Sequence, residues 1–300
     1  MTELANQVLQ GILLGGYYAI IGCGLSFMYG VMGIINIAHG SLVVVAAFGL
    51  FLLADRFGLS PLSGLLIVAP CMAVLGVLLQ RLVLERSAKA GPLVPVLSTF
   101  GLSIVIDSLL FQGFGADTRS LAPFMDSLAY DSWPLSGDIA VGQLPALTFA
   151  AAAILLGGLH VLLAKTSIGR EIRATAEDRD TAGLVGVNTA WTKAVAVALS
   201  MIGVALAAFA LGMRSSFDAY SGAPQLIFAF EVAVIGGAGS LWGTLVGGML
   251  LGVAQTLGSL IAPQCFLIAG HIMFLLVLLT RPALKARTPA ILRAMVRVAR

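Results

Sequence analysis

The chain has 300 residues, of which 59% are hydrophobic and only 10% are charged, and its formal net charge is +3. An average soluble domain carries roughly 25% charged residues, so this composition excludes a soluble protein. The basic residues are not interleaved with aromatic residues, which argues against a nucleic-acid partner. The apolar residues fall in blocks of about 20, the length that crosses a bilayer core. The composition therefore predicts an all-α polytopic membrane protein.

Nine apolar blocks predict about eight to nine transmembrane helices, with broken or re-entrant segments among them. Gly30–Gly40 interrupts the first two blocks with glycines and two polar side chains, and Phe228–Gly239 is too short for a full span and carries Glu231. Non-helical backbone at membrane depth survives only where protein or a cavity covers it, and interrupted segments point towards a translocation pathway. The blocks are 5–29, 33–54, 61–80, 92–113, 143–164, 194–213, 225–238, 241–261 and 264–280.

The distribution of Lys and Arg predicts the orientation of the chain in the membrane. Fourteen of the 17 basic residues lie in three regions, 81–89, 165–193 and 281–300. Cytoplasmic connections carry the excess of positive charge, so we expect an outside N-terminus and a cytoplasmic C-terminus. The expected division is a permease domain over 1–285 and a basic tail over 286–300. The outer loop, 114–142, is acidic, which suits either a solvated loop or a docking surface for an outside partner.

Several polar side chains lie inside the apolar blocks. Asn36, His39 and Ser41 either line the pathway or tie the broken backbone together, and the cost of burying unpaired polar groups favours the structural role. Three structural interpretations are open for Glu231: it is protonated, it caps a neighbouring helix, or it pairs across an interface. The functional alternative is a proton relay. Asp107 lies in the middle of another apolar block, and the same alternatives apply to its carboxyl group.

Small residues recur late in the chain. Gly239, Gly243 and Gly247 are spaced by four residues, and this spacing predicts close packing between helices. The three cysteines lie in apolar blocks without a CxxC pair, which favours buried small side chains over a metal site, and no metal is predicted.

The segment 166–193 is the longest polar run on the predicted cytoplasmic side. It combines helix formers, alanines and charges of both signs, and Gly183 and Gly186 punctuate its end. A short helix of this composition suits docking into a groove of another protein. The alternative is a solvated helix in a loop.

Four stretches resemble one family of membrane proteins. Arg173–Asn188 (RATAEDRDTAGLVGVN) resembles the coupling loop of ABC importer permeases, and more narrowly that of the first permease subunit of branched-chain amino acid (Liv-type) transporters. Tyr29–Gly40, Thr99–Ser103 and Ala229–Gly248 agree with the same family. The resemblance covers nearly the whole chain.

The resemblance implies the fold of the larger ABC importer permeases and a place in the bacterial inner membrane. It implies four kinds of partner: a second homologous permease, two cytoplasmic ATPase subunits, a periplasmic substrate-binding protein and the lipid bilayer. The implied substrate is a branched-chain or other hydrophobic amino acid, while urea, short amides and aromatic acids stay open. The residues that the resemblance places in contact with the ATPases are Arg173, Ala176, Glu177, Asp178, Ala182, Gly183 and Gly186.

The sequence contains no GxxxxGK[ST] phosphate loop, so ATP is expected on partner subunits and no cofactor on this chain. The chain is thus expected to be a transport subunit and not an enzyme. A self-contained secondary transporter would explain the broken helices and Glu231 but not the coupling-like segment. An intramembrane enzyme lacks support, because the chain has no HExxH motif and no paired acidic clusters.

Overall fold

The computed structural model describes residues 2–125, 128, 130–136 and 139–287, and these residues are mostly helical. A helix occupies each of the nine predicted apolar blocks, so the all-α polytopic architecture is confirmed. The helices are α1 Thr2–Met32, α2 His39–Phe57, α3 Pro61–Leu79, α4 Glu85–Lys89, α5 Val94–Phe114, α6 Gln143–Lys165, α7 Ser167–Glu177, α8 Arg179–Leu184, α9 Thr189–Arg214, α10 Gly222–Gly236, α11 Leu241–Ser259 and α12 Cys265–Arg287. A π-helical turn, Gln80–Leu84, joins α3 to α4.

Seven helical stretches within the described residues are long and apolar enough to cross a membrane, and α10 and α12 add two shorter apolar stretches. α1 forms the centre of the bundle and packs against α6, α9, α10 and α11. Its most apolar stretch is 78% buried, whereas that of α5 is 11% buried. The apolar outer faces of α3, α5 and α6 are therefore available to lipid or to another subunit.

Glycines let α1 and α11 approach until their backbones touch. Gly15 lies against Gly248 and Met249, and Gly252 lies against Gly11. Small residues allow this closeness in membranes, where packing rather than the hydrophobic effect drives the association of helices.

Gly239, Gly243 and Gly247, which are spaced by four residues in the sequence, do not all lie on the same helix. Gly243 and Gly247 lie on α11 and face Gly236 of α10. Gly239 lies in the turn before α11 with φ +88°, beside Gly30. A turn of positive φ separates Gly239 from the helix, so the three residues do not form one helical stripe.

The described residues of the loop after α5 form secondary structure that an acidic connection does not predict. Strands β1 (Ser132–Ser136) and β2 (Ile139–Gly142) pair antiparallel within it. The Leu121 amide donates to the Gly212 carbonyl (2.7 Å), which fastens the loop to the end of α9. Asp126 and Asp138, on which its acidity partly rests, lie outside the described residues, as does the tail beyond 287, so those predictions stay predictions.

The prediction that all three cysteines are buried is wrong. Cys23 is buried in α1, but Cys71 is exposed on α3 and Cys265 is half-buried at the start of α12. Both helices expose one apolar face to the surroundings of the chain, and an apolar block does not show which of its residues lie on that face.

The bundle has two distinct ends. At the end that we call the basic end, the C-terminus of α1, the turn between α4 and α5 and α7 surround a cavity of 510 Å³ that is also lined by Arg179 and Lys193. At the opposite end, the loop end, the Gln10 amide donates to the Ala140 carbonyl at 2.8 Å. The basic regions 81–89 and 165–193 therefore share one end, as their assignment to one side of the membrane requires.

Candidate translocation and coupling sites

The backbone is broken between α1 and α2, as Gly30–Gly40 predicts. Residues 33–38 are not helical, and Gly33 begins the break with φ +66°. The fully buried Asn36 accepts a hydrogen bond from the Ala38 amide on Oδ1 (3.1 Å), and the Ile37 amide donates to Thr99 Oγ1 on α5 (3.1 Å). Side chains thus satisfy backbone groups that no helix satisfies there.

His39 fixes the start of α2 against the middle of α1. Its imidazole is fully buried, and Nε2–H donates to the Ile21 carbonyl at 3.0 Å, because a carbonyl can only accept. Ser41 is also buried and lies beside the Asp107 carboxyl group of α5. The contacts of Asn36 and His39 are those of residues that hold a broken backbone together.

A second partial helix, α10, begins where α2 begins. The backbone of Gly222 lies directly against Gly40 and Ser41, and a Cβ atom at Gly222 would be 2.7 Å from the Ser41 amide nitrogen. The N-termini of α2 and α10 therefore meet beside the middle of α1. Each N-terminus carries partial positive charge from the helix dipole.

α10 is too short for a full span, as Phe228–Gly239 predicts, but it begins before that stretch. The helix runs over Gly222–Gly236 and is flanked by non-helical segments at 215–221 and 237–240. Positive φ at Gly237 and Gly239 ends the helix. The upstream segment is polar, and its sequence resembles an ordinary connection between spans.

Buried tyrosines of α1 hold the neighbouring helices by hydrogen bonds. The Tyr17 hydroxyl donates to Gln225 Oε1 on α10 (2.7 Å), and the Tyr18 hydroxyl donates to Gln255 Oε1 on α11. None of these four residues is among those that the sequence singles out. The available signal was two glutamines inside apolar helices, since such amides need partners.

Glu231 pairs with His271, a residue to which the sequence assigned no role. His271 Nδ1 on α12 donates to Glu231 Oε1 on α10, so the pair ties these helices together. Glu231 is buried, whereas 46% of the His271 side chain is exposed. An ionisable side chain exposed on an apolar helix is costly in lipid, so this face suits a protein interface or an aqueous path.

The coupling segment, which we define as residues 166–193, folds into two short helices at the basic end. Thr166 Oγ1 accepts from the Gly169 amide at the start of α7 (3.0 Å). Asp178 separates the two helices and caps α8, because Oδ1 accepts from the amides of Asp180 (3.0 Å) and Thr181 (3.1 Å). The hydrogen bond that Asp178 accepts from the Thr181 side chain, with those from the amides, holds the pKa of this fully exposed carboxyl group below its ordinary value.

Most of the candidate coupling residues are exposed. Arg173, Ala176, Glu177, Asp178, Gly183 and Gly186 are accessible on the surface. Ala182 is buried, so its side chain supports α8 from within and does not reach a partner. Beside them, Leu184 is 88% exposed and Val185 is 75% exposed. The coupling segment therefore exposes two adjacent apolar side chains among charged ones.

The described residues offer no site for a metal ion. No group of three or more His, Cys, Asp or Glu side chains lies close enough together in that part of the chain to ligate one. The geometry is that of a membrane bundle in which the N-termini of α2 and α10 meet, with an exposed polar segment at one end.

Comparison with known proteins agrees with this geometry. A family described as branched-chain amino acid transport system, permease component, matches residues 7–280. The chain is 26% identical to the high-affinity branched-chain amino acid transport system permease protein BraD of Pseudomonas aeruginosa, over 92% of this chain and 94% of BraD. It is 27% identical to LivH of Escherichia coli K12, over 92% of this chain and 93% of LivH.

More distant matches follow. A probable branched-chain amino acid transport permease protein LivH of Methanocaldococcus jannaschii is 24% identical over 91% of this chain and 89% of that protein. The solved structure of PsaBC from Streptococcus pneumoniae in complex with Fab aligns at 15% identity with a TM-score of 0.46, over 92% of this chain and 91% of that chain. Because the family match extends over 7–280, the protein is a multi-pass membrane permease that belongs to the family of branched-chain amino acid transport system permease components.

Proposed function

We propose that this permease is the membrane subunit of an ATP-driven importer for branched-chain or other hydrophobic amino acids in a bacterial inner membrane. The observation that carries the proposal is the family match over residues 7–280, together with relatives of the same transport system that align over more than nine-tenths of the chain. Because the sequence has no phosphate loop of the GxxxxGK[ST] type, separate subunits would bind and hydrolyse ATP.

The proposed assembly contains a second homologous permease, two cytoplasmic ATPases and a periplasmic substrate-binding protein. The exposed residues of the coupling segment, with Leu184 and Val185 beside them, supply a surface for an ATPase. The concentration of Lys and Arg at the same end supports a cytoplasmic location for it, since the cytoplasmic side carries the excess of positive charge. The N-terminus would then lie outside.

The mechanism transmits ATPase closure through the coupling segment to the helices that it joins. α7 follows α6 directly and α8 precedes α9, so movement of the segment would tilt both spans. α9 contacts α1 and α2, and α2 meets α10 at the break. Small displacements of packed helices are a common mode of switching in proteins, and here they would open the bundle alternately to each side.

Isolation of the tagged chain from its native membrane in mild detergent, followed by mass spectrometry, tests the assembly. We expect two ATPase subunits and a second permease to accompany it, and ligand screening of the co-purifying binding protein to identify leucine, isoleucine or valine. Urea, an amide or an aromatic acid as the ligand would replace the proposed substrate. A chain that purifies alone under conditions that preserve known complexes would favour a secondary transporter instead.

The coupling surface makes a second test possible. Glu177→Arg reverses a charge on the exposed surface. Gly183→Trp adds a bulky ring at a position where a Cβ atom would meet no other part of the described chain within 4 Å. We expect both variants to leave the spans folded and to uncouple ATP hydrolysis from transport. Normal substrate uptake by both variants at matched membrane levels would refute the assignment of the coupling segment.

A further inference from the structure

A cavity of 560 Å³ opens at the loop end of the bundle, between α1, α6, α9 and α12. Its walls are largely apolar, with side chains from all four helices, including Leu13, Leu144, Met213 and Phe266. Because the Gln10 to Ala140 hydrogen bond places this end opposite the coupling segment, the cavity lies on the side from which substrate would arrive.

Arg214 is the only charged side chain among the described residues that line this cavity. It ends α9, it is exposed, and its guanidinium carbon lies 5.3 Å from the centroid of the Tyr17 ring. No carboxylate of the described chain lies within ion-pairing distance of it. Arginine is always protonated in proteins, so the cavity contains a fixed positive charge that the described residues leave without a counter-ion.

The position of Tyr17 connects this charge to the broken helices. The Tyr17 ring lies under the guanidinium, and its hydroxyl donates to Gln225 on α10. α10 begins against the first residues of α2, at the point where the N-termini of the two helices meet. A ligand that displaced Arg214 or pressed on Tyr17 would therefore act directly on the half-helix.

We propose that Arg214 binds the carboxylate of the amino acid in transit, while the apolar walls of the cavity accommodate its side chain. The planar guanidinium presents paired N–H donors that match the two oxygens of a carboxylate, and its face stacks on an aromatic ring, which is the arrangement with Tyr17. A lone positive charge in a cavity whose other described lining residues are uncharged fits an α-amino acid with a hydrocarbon side chain. This inference rests on the proposed function and identifies a residue that contacts the substrate.

Binding to the intact transporter complex in lipid nanodiscs, measured by saturation-transfer NMR without the periplasmic protein, tests the proposal. The probes are leucine, 4-methylpentanoate, which keeps the carboxylate, and leucinamide, which lacks it. We expect the wild-type complex to bind leucine and 4-methylpentanoate at least about tenfold more tightly than leucinamide, a difference typical of one hydrogen-bonded charge pair. Arg214→Gln should abolish this preference.

Two further variants make the result specific. Arg214→Lys keeps the charge but loses the paired donors, so we expect an intermediate preference for the carboxylate probes. Arg56→Gln removes an exposed arginine near the end of α2, outside the cavity, and should behave like the wild type. Co-purification of the ATPases with each variant establishes that the complex is intact.

The outcomes separate this inference from the proposed function. If the wild-type complex with its binding protein imports no hydrophobic amino acid, the proposed function itself fails. If it imports leucine but Arg214→Gln keeps the preference for carboxylate probes, only the role of Arg214 fails. A wild-type complex that imports leucine but shows no such preference would overturn the inference in the same way.

Discussion

Several buried side chains of this permease make hydrogen bonds that join one helix to another. Tyr17 and Tyr18 reach glutamines on α10 and α11, and His39 reaches the α1 backbone. An unpaired polar group in apolar surroundings costs several kcal/mol on scales without compensating hydrogen bonds. These hydrogen bonds therefore help to specify which helices are neighbours, and they hold α2 and α10 to α1.

Glu231→Gln tests the role of the acid on α10. The amide of Gln keeps an oxygen that accepts from His271 Nδ1, but it lacks the negative charge of the carboxylate. We expect the hydrogen bond to weaken by about 1 kcal/mol and transport to fall by less than about tenfold. The measurement is the initial rate of uptake by the reconstituted complex. Glu231→Leu, which leaves His271 without its partner, should destabilise the complex more. Complete loss of transport in an assembled Glu231→Gln complex would instead indicate a proton relay.

The sequence indicates one residue of some polar pairs and neither residue of others. Asn36, His39 and Glu231 attracted notice because polar residues interrupt apolar blocks. Their partners could not be identified, since 40 residues separate Glu231 from His271 and 208 separate Tyr17 from Gln225. Arg214 also escaped notice, because at the end of a span it resembles an ordinary flanking charge.

At the scale of elements, glycine contacts determine how closely α1 and α11 approach. Gly248→Val should loosen this pair, because a Cβ atom there would lie 2.9 Å from the Ala19 amide nitrogen and the backbones would have to separate. We expect a loss of about 1–3 kcal/mol, seen as a lower thermal midpoint of the purified complex. Gly157→Val on α6 is the matched control, since a Cβ atom at Gly157 would meet no other helix of the described chain within 4 Å. Equal midpoints for the two variants would contradict the account.

The cap of α8 gives the coupling segment a dependence on pH. Hydrogen bonds from Thr181 and the neighbouring amides lower the pKa of Asp178, so its cap stabilises α8 above the ordinary pKa of the carboxyl group. That stability is lost as the pH falls through the lowered value. Asp178→Ala should increase amide hydrogen exchange over 179–184 at neutral pH. An Asn side chain caps without titrating, so the protection factors of Asp178→Asn, which correct for the intrinsic pH dependence of exchange, should not fall in acid as those of the wild type do. An equal fall of the protection factors in Asp178→Asn would refute the role of the cap.

Elements were more predictable than their junctions. Block length located the seven long apolar helices of the described residues, because about 20 apolar residues match the thickness of the bilayer core, and two shorter blocks located α10 and α12. The non-helical segment 215–221 was missed, since its polar residues resemble a surface loop while its last residues lead into Gly222 at the α2 N-terminus. A long-range contact of that kind leaves no periodic pattern in the sequence.

At the scale of the whole molecule, three features occupy the two ends and the middle of the bundle. The cavity with Arg214 lies at the loop end, the N-termini of α2 and α10 meet beside the middle of α1, and the coupling segment lies at the basic end. α9 connects two of them directly, because it begins next to the coupling segment and ends at Arg214. Movement of α9 would therefore displace the lining of the cavity and the coupling segment together.

Uptake of radiolabelled leucine by proteoliposomes containing the complete complex tests the central claim most directly. With loaded binding protein on one side and ATP on the other, the account predicts accumulation that requires both and that stops in the Gly183→Trp complex. Accumulation that continues without ATP, or that this chain supports alone, would contradict it and assign the protein to the secondary transporters.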